Sequence, residues 1–401
     1  MLFSSAALLS LLPLVLAAPS GEPLDKRAPL LQARAGQVIP GQYIVKFKDG
    51  AAETILTAAA GKIKPTHVYK GAFKGFSGSL DSTSLEEIRK LPEVEYVEED
   101  AVVTIADGEI ASKTGSAPRA IVTQLNPPWN LARISSHTPG AGVYRYDSTA
   151  GAGTCAYVLG TGIQITHPQF AGGAVWGANF VDTVNTDGNG HGTAIAGIIR
   201  STTYGVAKQT KLVAVKVLSA SGSGTTSGII SAMNFVASDW PTRGCPNGVV
   251  AALTFGGGFS SAINNAATAL VQSGIFVTTG VGSSNTQVGG SPASAPAVCS
   301  IGASNSGDSV ASFNDYGPLL DLYAPGVSIL TVWLNGGTNT LSGTTLAMAH
   351  VAGLGAYLLG LPSALTGSGL CAYIQSIATV GVLTGVPPNT PNLLAYNGWD
   401  L

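Results

Sequence analysis

Three stretches in the second half of the chain are nearly unbroken runs of apolar residues, and they constrain the fold more than any other feature. They cover 212–218 (LVAVKVL), 248–255 (GVVAALTF) and 275–279 (IFVTT). A strand with one wetted face alternates apolar and polar residues, whereas a strand covered on both faces need not. Between these runs, Thr226–Asp239 and 262–273 carry apolar residues at helical spacing. Alternation of buried strands with helices predicts an α/β body of three layers, a mainly parallel sheet between two layers of helices. A further apolar helix is expected from about residue 345 to 359. Ligands of such sheets bind beyond the carboxyl ends of the strands, which directs attention to Gly160, Gly256 and Val281.

Charge marks a boundary. No glutamate follows residue 119, and no lysine or arginine follows Arg243. A charged leader therefore precedes a body rich in Gly, Ser and Ala. The formal net charge of −2 excludes the strongly basic surface that nucleic acid or an anionic membrane would require. Residues 1–18 read as a secretory signal, an apolar run from Ala6 to Leu16 ending in Ala17-Ala18. Residues 19–37 read as a linker containing the dibasic pair Lys26-Arg27, and no later segment has the length and hydropathy of a membrane span. The expected location is extracellular. The four cysteines, Cys155, Cys245, Cys299 and Cys371, then imply two disulfides, with three pairings open. There is no C-x-x-C to hold zinc.

The leader holds a small domain at 38–105. Residues 41–48 alternate like a strand, and 66–78 read as two strands around a turn. Residues 82–88 (STSLEEI) open a helix with its own N-cap and an acidic first turn. Residues 94–100 (VEYVEED) read as an edge strand. The expectation is an α+β, ferredoxin-like unit, joined by a junction at 106–119 to a body at 120–401.

Within the body, residues 156–163 (AYVLGTGI), 187–193 (DGNGHGT) and 342–347 (SGTTLA), together with 129–135 (WNLARIS), 221–228 (SGSGTTSG), 291–296 (SPASAP) and 350–353 (HVAG), resemble the motif stretches of the subtilisin-like serine proteases, in their proteinase K-like branch. The leader is similar to the family's inhibitory I9-type propeptide. The resemblance implies the disulfides Cys155–Cys245 and Cys299–Cys371. It also implies a calcium site made by the carbonyls of Pro296 and Val298 and the carboxylate of Asp321, a hard-oxygen set that suits Ca²⁺.

The same resemblance places a catalytic Asp at 160, His at 191, Ser at 345 and an oxyanion-binding Asn at 281. This sequence has Gly160, His191, Thr345 and Val281. In a triad the hydroxyl attacks, the imidazole takes its proton, and the carboxylate orients the imidazole and stabilises its charged form. Gly160 can do none of this. Threonine keeps a hydroxyl but adds a methyl that restricts χ1, and the hydroxyl of Thr345 is read as a cap on the following helix. One oxyanion donor is worth about 10²–10³ in rate. Asp187 and Asp182 are the nearest carboxylates to His191, with Asp187 expected to serve its own loop, and Asn285 is the nearest alternative amide.

The peptide-binding walls implied by the resemblance are Ser221, Gly222, Ser223 and Gly224 on one side and Thr254, Phe255 and Gly256 on the other. They would receive an extended peptide by β-augmentation, with Phe255 narrowing the first specificity pocket. The expected protein is a secreted subtilase homologue without catalysis, whose cleft binds a peptide or protein segment such as its own propeptide. The alternative is a weakly active endopeptidase using His191 and Thr345.

Overall fold

The structure, a computed structural model, describes residues 27–33, 37–51, 65–105, 114–115, 120–361 and 365–401. The signal expected at 1–18, the Lys26 half of the dibasic pair and most of the junction at 106–119 lie outside the described residues.

The body is built on a nine-stranded sheet. Its order is Ala174–Asn179, Lys211–Lys216, Cys155–Gly160, Val249–Leu253, Phe276–Gly280, Cys299–Ser304, Leu322–Pro325, Leu393–Leu394 and Thr379–Val380. Every neighbouring pair is parallel except the last. The central strands are buried on both faces, as their unbroken apolar runs require. Ala156 and Val158 enter one core, with the helices His191–Ile199 and Thr344–Leu359. Tyr157 and Leu159 enter the other, with the helices Thr226–Asp239 and Ser261–Gln272. This is the three-layer α/β/α arrangement. Every residue of Thr344–Leu359 is buried, which accounts for a helix apolar all round.

Both disulfides form, Cys155–Cys245 and Cys299–Cys371, closing separations of 90 and 72 residues. The first ties the start of a central strand to the loop before its neighbour, and the second ties a core strand to the helix Leu370–Ser376.

The leader is an antiparallel sheet of Val38–Phe47, Lys74–Ser79 and Pro65–Lys70, with Val94–Ile105 on the other side of Val38–Phe47. Three expectations need correction here. The segment read as a linker supplies a strand, because Leu30–Leu31 pairs with Val97 and Glu98 and Ala28 enters the small core. The helix is Ser82–Arg89, and its cap is Asp81, whose carboxylate accepts from Ser84 N–H at 2.8 Å. An Asp one residue upstream outcompeted the serine because its charge suits the helix N-terminus. The strand read as an edge over 94–100 runs on to Ile105 and lies inside two sheets. Two of its acidic residues, Glu98 and Asp100, are buried against the body.

Candidate functional site

The strand Val94–Ile105 leaves its own domain and enters the body. There Val102, Val103 and Thr104 pair antiparallel with Thr225, Gly224 and Ser223. On its other side Thr104 and Ile105 pair antiparallel with Gly256 and Phe255. The leader's last strand is thus the middle of a three-stranded ribbon whose outer members belong to the body. Two carboxylates secure the approach. Glu98 accepts from Ser260 Oγ at 2.5 Å and from Ala262 N–H at 3.1 Å, at the start of the helix Ser261–Gln272. Asp100 accepts from Ser227 N–H at 3.3 Å, in the first turn of Thr226–Asp239. Burial holds both carboxyls above their usual range, and the hydrogen bonds work against that shift. Tyr69 adds a hydrogen bond from its hydroxyl to Ser227 O at 3.2 Å.

The walls differ in detail from those expected. Ser223, Gly224, Phe255 and Gly256 pair with the strand, and Thr225 joins them. Ser221 and Gly222 stand in the preceding turn, where Gly222 has φ 78° and its N–H donates to Ser219 O. Thr254 is wholly buried, and its hydroxyl donates to Leu159 O at 2.9 Å across the neighbouring strand. Phe255 has no exposed surface and belongs to the body's core. It does not line the cleft of about 620 Å³ that opens between Gly256–Phe259 and the loop after Gly280; Phe259 does.

His191 begins the helix His191–Ile199 behind Gly190, at φ 104°. A Cβ on Gly190 would lie 2.4 Å from the Trp333 ring, so only glycine fits there. The imidazole Nε2 lies 2.9 Å from Thr345 Oγ1. Both residues are buried, and among the described residues Nδ1 of His191 has no hydrogen-bond partner. Burial holds the imidazole pKa down at about 4, against a smaller opposing pull from Asp187. Thr345 does not cap its helix. It is the second residue of Thr344–Leu359, behind Gly343 at φ 151°, and its hydroxyl turns across to the imidazole.

The nearby carboxylates are otherwise engaged. Asp187 accepts from Thr161 Oγ1, Asn189 N–H and Gly190 N–H at one oxygen and from Thr193 N–H and Oγ1 at the other. Asp182 pairs with Lys216 Nζ at 2.7 Å and Asn179 Nδ2 at 2.9 Å. Gly160 ends its strand beside Lys216 and offers no group. Val281 is 3 % exposed and packs with Val288, Leu320 and Tyr323 at the cleft wall. Asn285 is exposed and held in a left-handed turn by its N–H to Phe313 O, and it is not among the residues lining the cleft.

Asp321 is half-buried, its oxygens taking hydrogen bonds from Ser300 N–H at 2.8 Å and Gln375 Nε2 at 3.2 Å. Burial raises its pKa to about 6. A half-buried carboxylate with only neutral donors is a fit partner for a cation.

A parallel α/β/α sheet with an imidazole–hydroxyl pair at one end, and a small domain threading its last strand through the adjoining groove, is the architecture of a serine-protease-type scaffold held with its propeptide. Residues 151–394 match the Subtilase family, Peptidase S8, and residues 42–106 match Peptidase inhibitor I9; the chain belongs to the subtilase family. It is 48 % identical over 396 residues, 97 % of each chain, to the subtilisin-like serine protease AsES of Sarocladium strictum. It is 47 % identical over 399 residues to the cuticle-degrading protease of Metarhizium anisopliae (98 % of this chain, 99 % of that one) and to proteinase R of Parengyodontium album (98 % of each). Among solved structures it resembles a cold adapted subtilisin-like serine proteinase, with 39 % identity and a TM-score of 0.64 over 68 % of this chain and 98 % of that one. Among the described residues no helix is long and apolar enough to cross a membrane.

Proposed function

We propose that this chain is a secreted subtilase without catalysis, a binding protein whose cleft keeps its own propeptide strand. The observation that carries the reading is the unpartnered Nδ1 of His191. To act as a base, Nε2 must accept the Thr345 proton, which leaves the ring's own proton on Nδ1. That N–H would be buried with no acceptor, at a cost of about 1–3 kcal/mol. In the other tautomer Nε2–H donates to Thr345 Oγ1 and Nε2 cannot take a proton, so no group at Nδ1 holds the ring in its productive form. Burial disfavours the charged imidazolium and holds its pKa down at about 4, and the carboxylate of Asp187, held by its own loop, only partly offsets that. Gly160 and Val281 thus remove the orienting group and the oxyanion donor, and Thr345 offers a hydroxyl to an imidazole that cannot activate it.

The test is made on full-length chain purified from a protease-deficient host. The propeptide strand stays in place, denatured casein is not digested, and a serine-directed fluorophosphonate leaves Thr345 unlabelled. The position of any cut is informative. Among the described residues cleft pairing reaches Ile105, so a self-made cut would fall in the junction that follows and leave an N-terminus between residues 106 and 120. Such an N-terminus, lost on His191→Ala, would overturn the reading in favour of a Thr345–His191 endopeptidase.

A structural calcium belongs to the same reading, held by the Pro296 and Val298 carbonyls and Asp321. Its chemistry would be to neutralise that buried carboxylate beside the Cys299–Cys371 disulfide. Calcium at a hundred times its Kd adds about 2.7 kcal/mol, so chelation lowers the Tm and Asp321→Asn removes the difference. A Tm indifferent to chelator in the parent chain would sink the assignment.

A further inference from the structure

We propose that Thr254 is a second determinant of the inactive site, a residue whose hydroxyl occupies the volume that any side chain at position 160 would enter. The inference rests on the reading above and adds a residue to it. Strands Cys155–Gly160 and Val249–Leu253 are parallel neighbours with Leu253 beside Leu159, so Thr254 and Gly160 follow side by side. A Cβ built on Gly160 lies 2.4 Å from Thr254 Oγ1, well inside contact, and 3.5 and 3.6 Å from its Cβ and Cγ2. The hydroxyl is not idle there. It donates to Leu159 O at 2.9 Å, alongside Thr254 N–H at 3.1 Å to the same carbonyl. Thr254, between the strands Val249–Leu253 and Phe255–Gly256, is wholly buried, and a β-branched residue in packed surroundings has little rotamer freedom to yield.

Loss of the carboxylate and placement of this hydroxyl are therefore one coupled state. Glycine at 160 permits threonine at 254, and threonine at 254 demands glycine at 160. A carboxylate reintroduced at 160 alone would be pushed off its line to the imidazole. Thr254 acts on the site through position 160 and touches no reacting atom, so it is a positioning residue.

The decisive experiment is a double-mutant cycle on the full chain with Gly160→Ala, Thr254→Ala and the pair, read by Tm. In the parent background Thr254→Ala lowers the Tm, because it empties a buried, hydrogen-bonded site. In the Gly160→Ala background it raises the Tm by roughly 2–8 °C, because it relieves overpacking. That reversal of sign is the expected result, and a lowering in both backgrounds would overturn the proposal. A second readout follows the imidazole by ¹⁵N-histidine NMR, which five histidines make tractable. The His191 pKa starts at about 4; in Gly160→Asp/Thr254→Ala it rises by about 1–3 units. In Gly160→Asp alone it rises less, and an equal rise in the single and the double would also overturn the proposal. If the aspartate variants do not fold, the alanine cycle decides. Neither readout depends on turnover, so a parent chain that digests protein would defeat the reading of inactivity while leaving the sign reversal standing.

Discussion

The chain carrying Gly160→Asp, Thr254→Ala, Val281→Asn and Thr345→Ser together is expected to digest casein, and the parent is not. The size of the gain follows from what each group supplies. In subtilisin, the family's type member, loss of the serine costs roughly 2 × 10⁶ in kcat and loss of the aspartate roughly 3 × 10⁴, and the two do not multiply. Those values set the scale here. With one oxyanion donor worth about 10²–10³, a gain of several orders of magnitude over the parent is expected. The scaffold for it is present: His191 and Thr345 already stand 2.9 Å apart, and the groove accepts a strand in antiparallel register on both sides. The order of effects is informative. Thr345→Ser alone should gain little, because the serine would face the same unoriented imidazole. The measurement is casein hydrolysis against a His191→Ala version of the same variant. A fourfold variant that folds, loads calcium and digests nothing would show that more than these groups has been lost.

The second large effect is on stability. Replacing Cys155 and Cys245 by alanine should cost about 4–5 kcal/mol on the loop-entropy account, for a closed separation of 90 residues, and in any case about 2–5 kcal/mol. The Cys299–Cys371 pair, closing 72 residues, should cost nearly as much, since the dependence on loop length is logarithmic. The first pair matters more for the site, because Cys155 begins the strand that ends at Gly160. Unfolding of each double alanine variant by guanidinium, followed by tryptophan fluorescence, gives the comparison. A midpoint within experimental error of the parent's for either variant would contradict the prediction. Reduction of the parent under native conditions should be slow, since Cys155 is 1 % and Cys245 is 7 % exposed.

The body's sheet was legible in the sequence because a strand covered on both faces leaves a mark that needs no partner to interpret. The runs at 212–218 and 248–255 are apolar whichever way a residue points. The leader's last strand was harder to read. Glu95, Glu98, Glu99 and Asp100 look alike in sequence, yet Glu98 and Asp100 serve the N-termini of two helices that lie more than a hundred residues away. A polar residue beside a helix N-terminus is indistinguishable from one in water until the helix is placed. Ser82 and Asp81 present the same ambiguity at shorter range. The resemblance put His191 and Thr345 in one site, and the two stand 2.9 Å apart; the capping role read for the threonine from its place at a helix start is not the one its hydroxyl takes. The contact between Gly160 and Thr254 was out of reach of any sequence pattern, because it crosses two strands and depends on an ångström of separation. Thr225 was missed because it is also the cap of Thr226–Asp239, accepting from Gly228 N–H, and that duty suffices to explain a threonine at that position.

The ribbon in which Thr104 has a body strand on either side has a further consequence, for solubility. Were that central strand withdrawn, Ser223–Thr225 and Phe255–Gly256 would each present open amides and carbonyls along a groove floored with glycine. Unpaired edges of that kind template the addition of foreign strands, including those of another copy. A working protease clears such a guest by cutting it. On the proposed reading this chain cannot do so and would keep whatever lodges there, and a leader left in place would then be its safeguard against clumping.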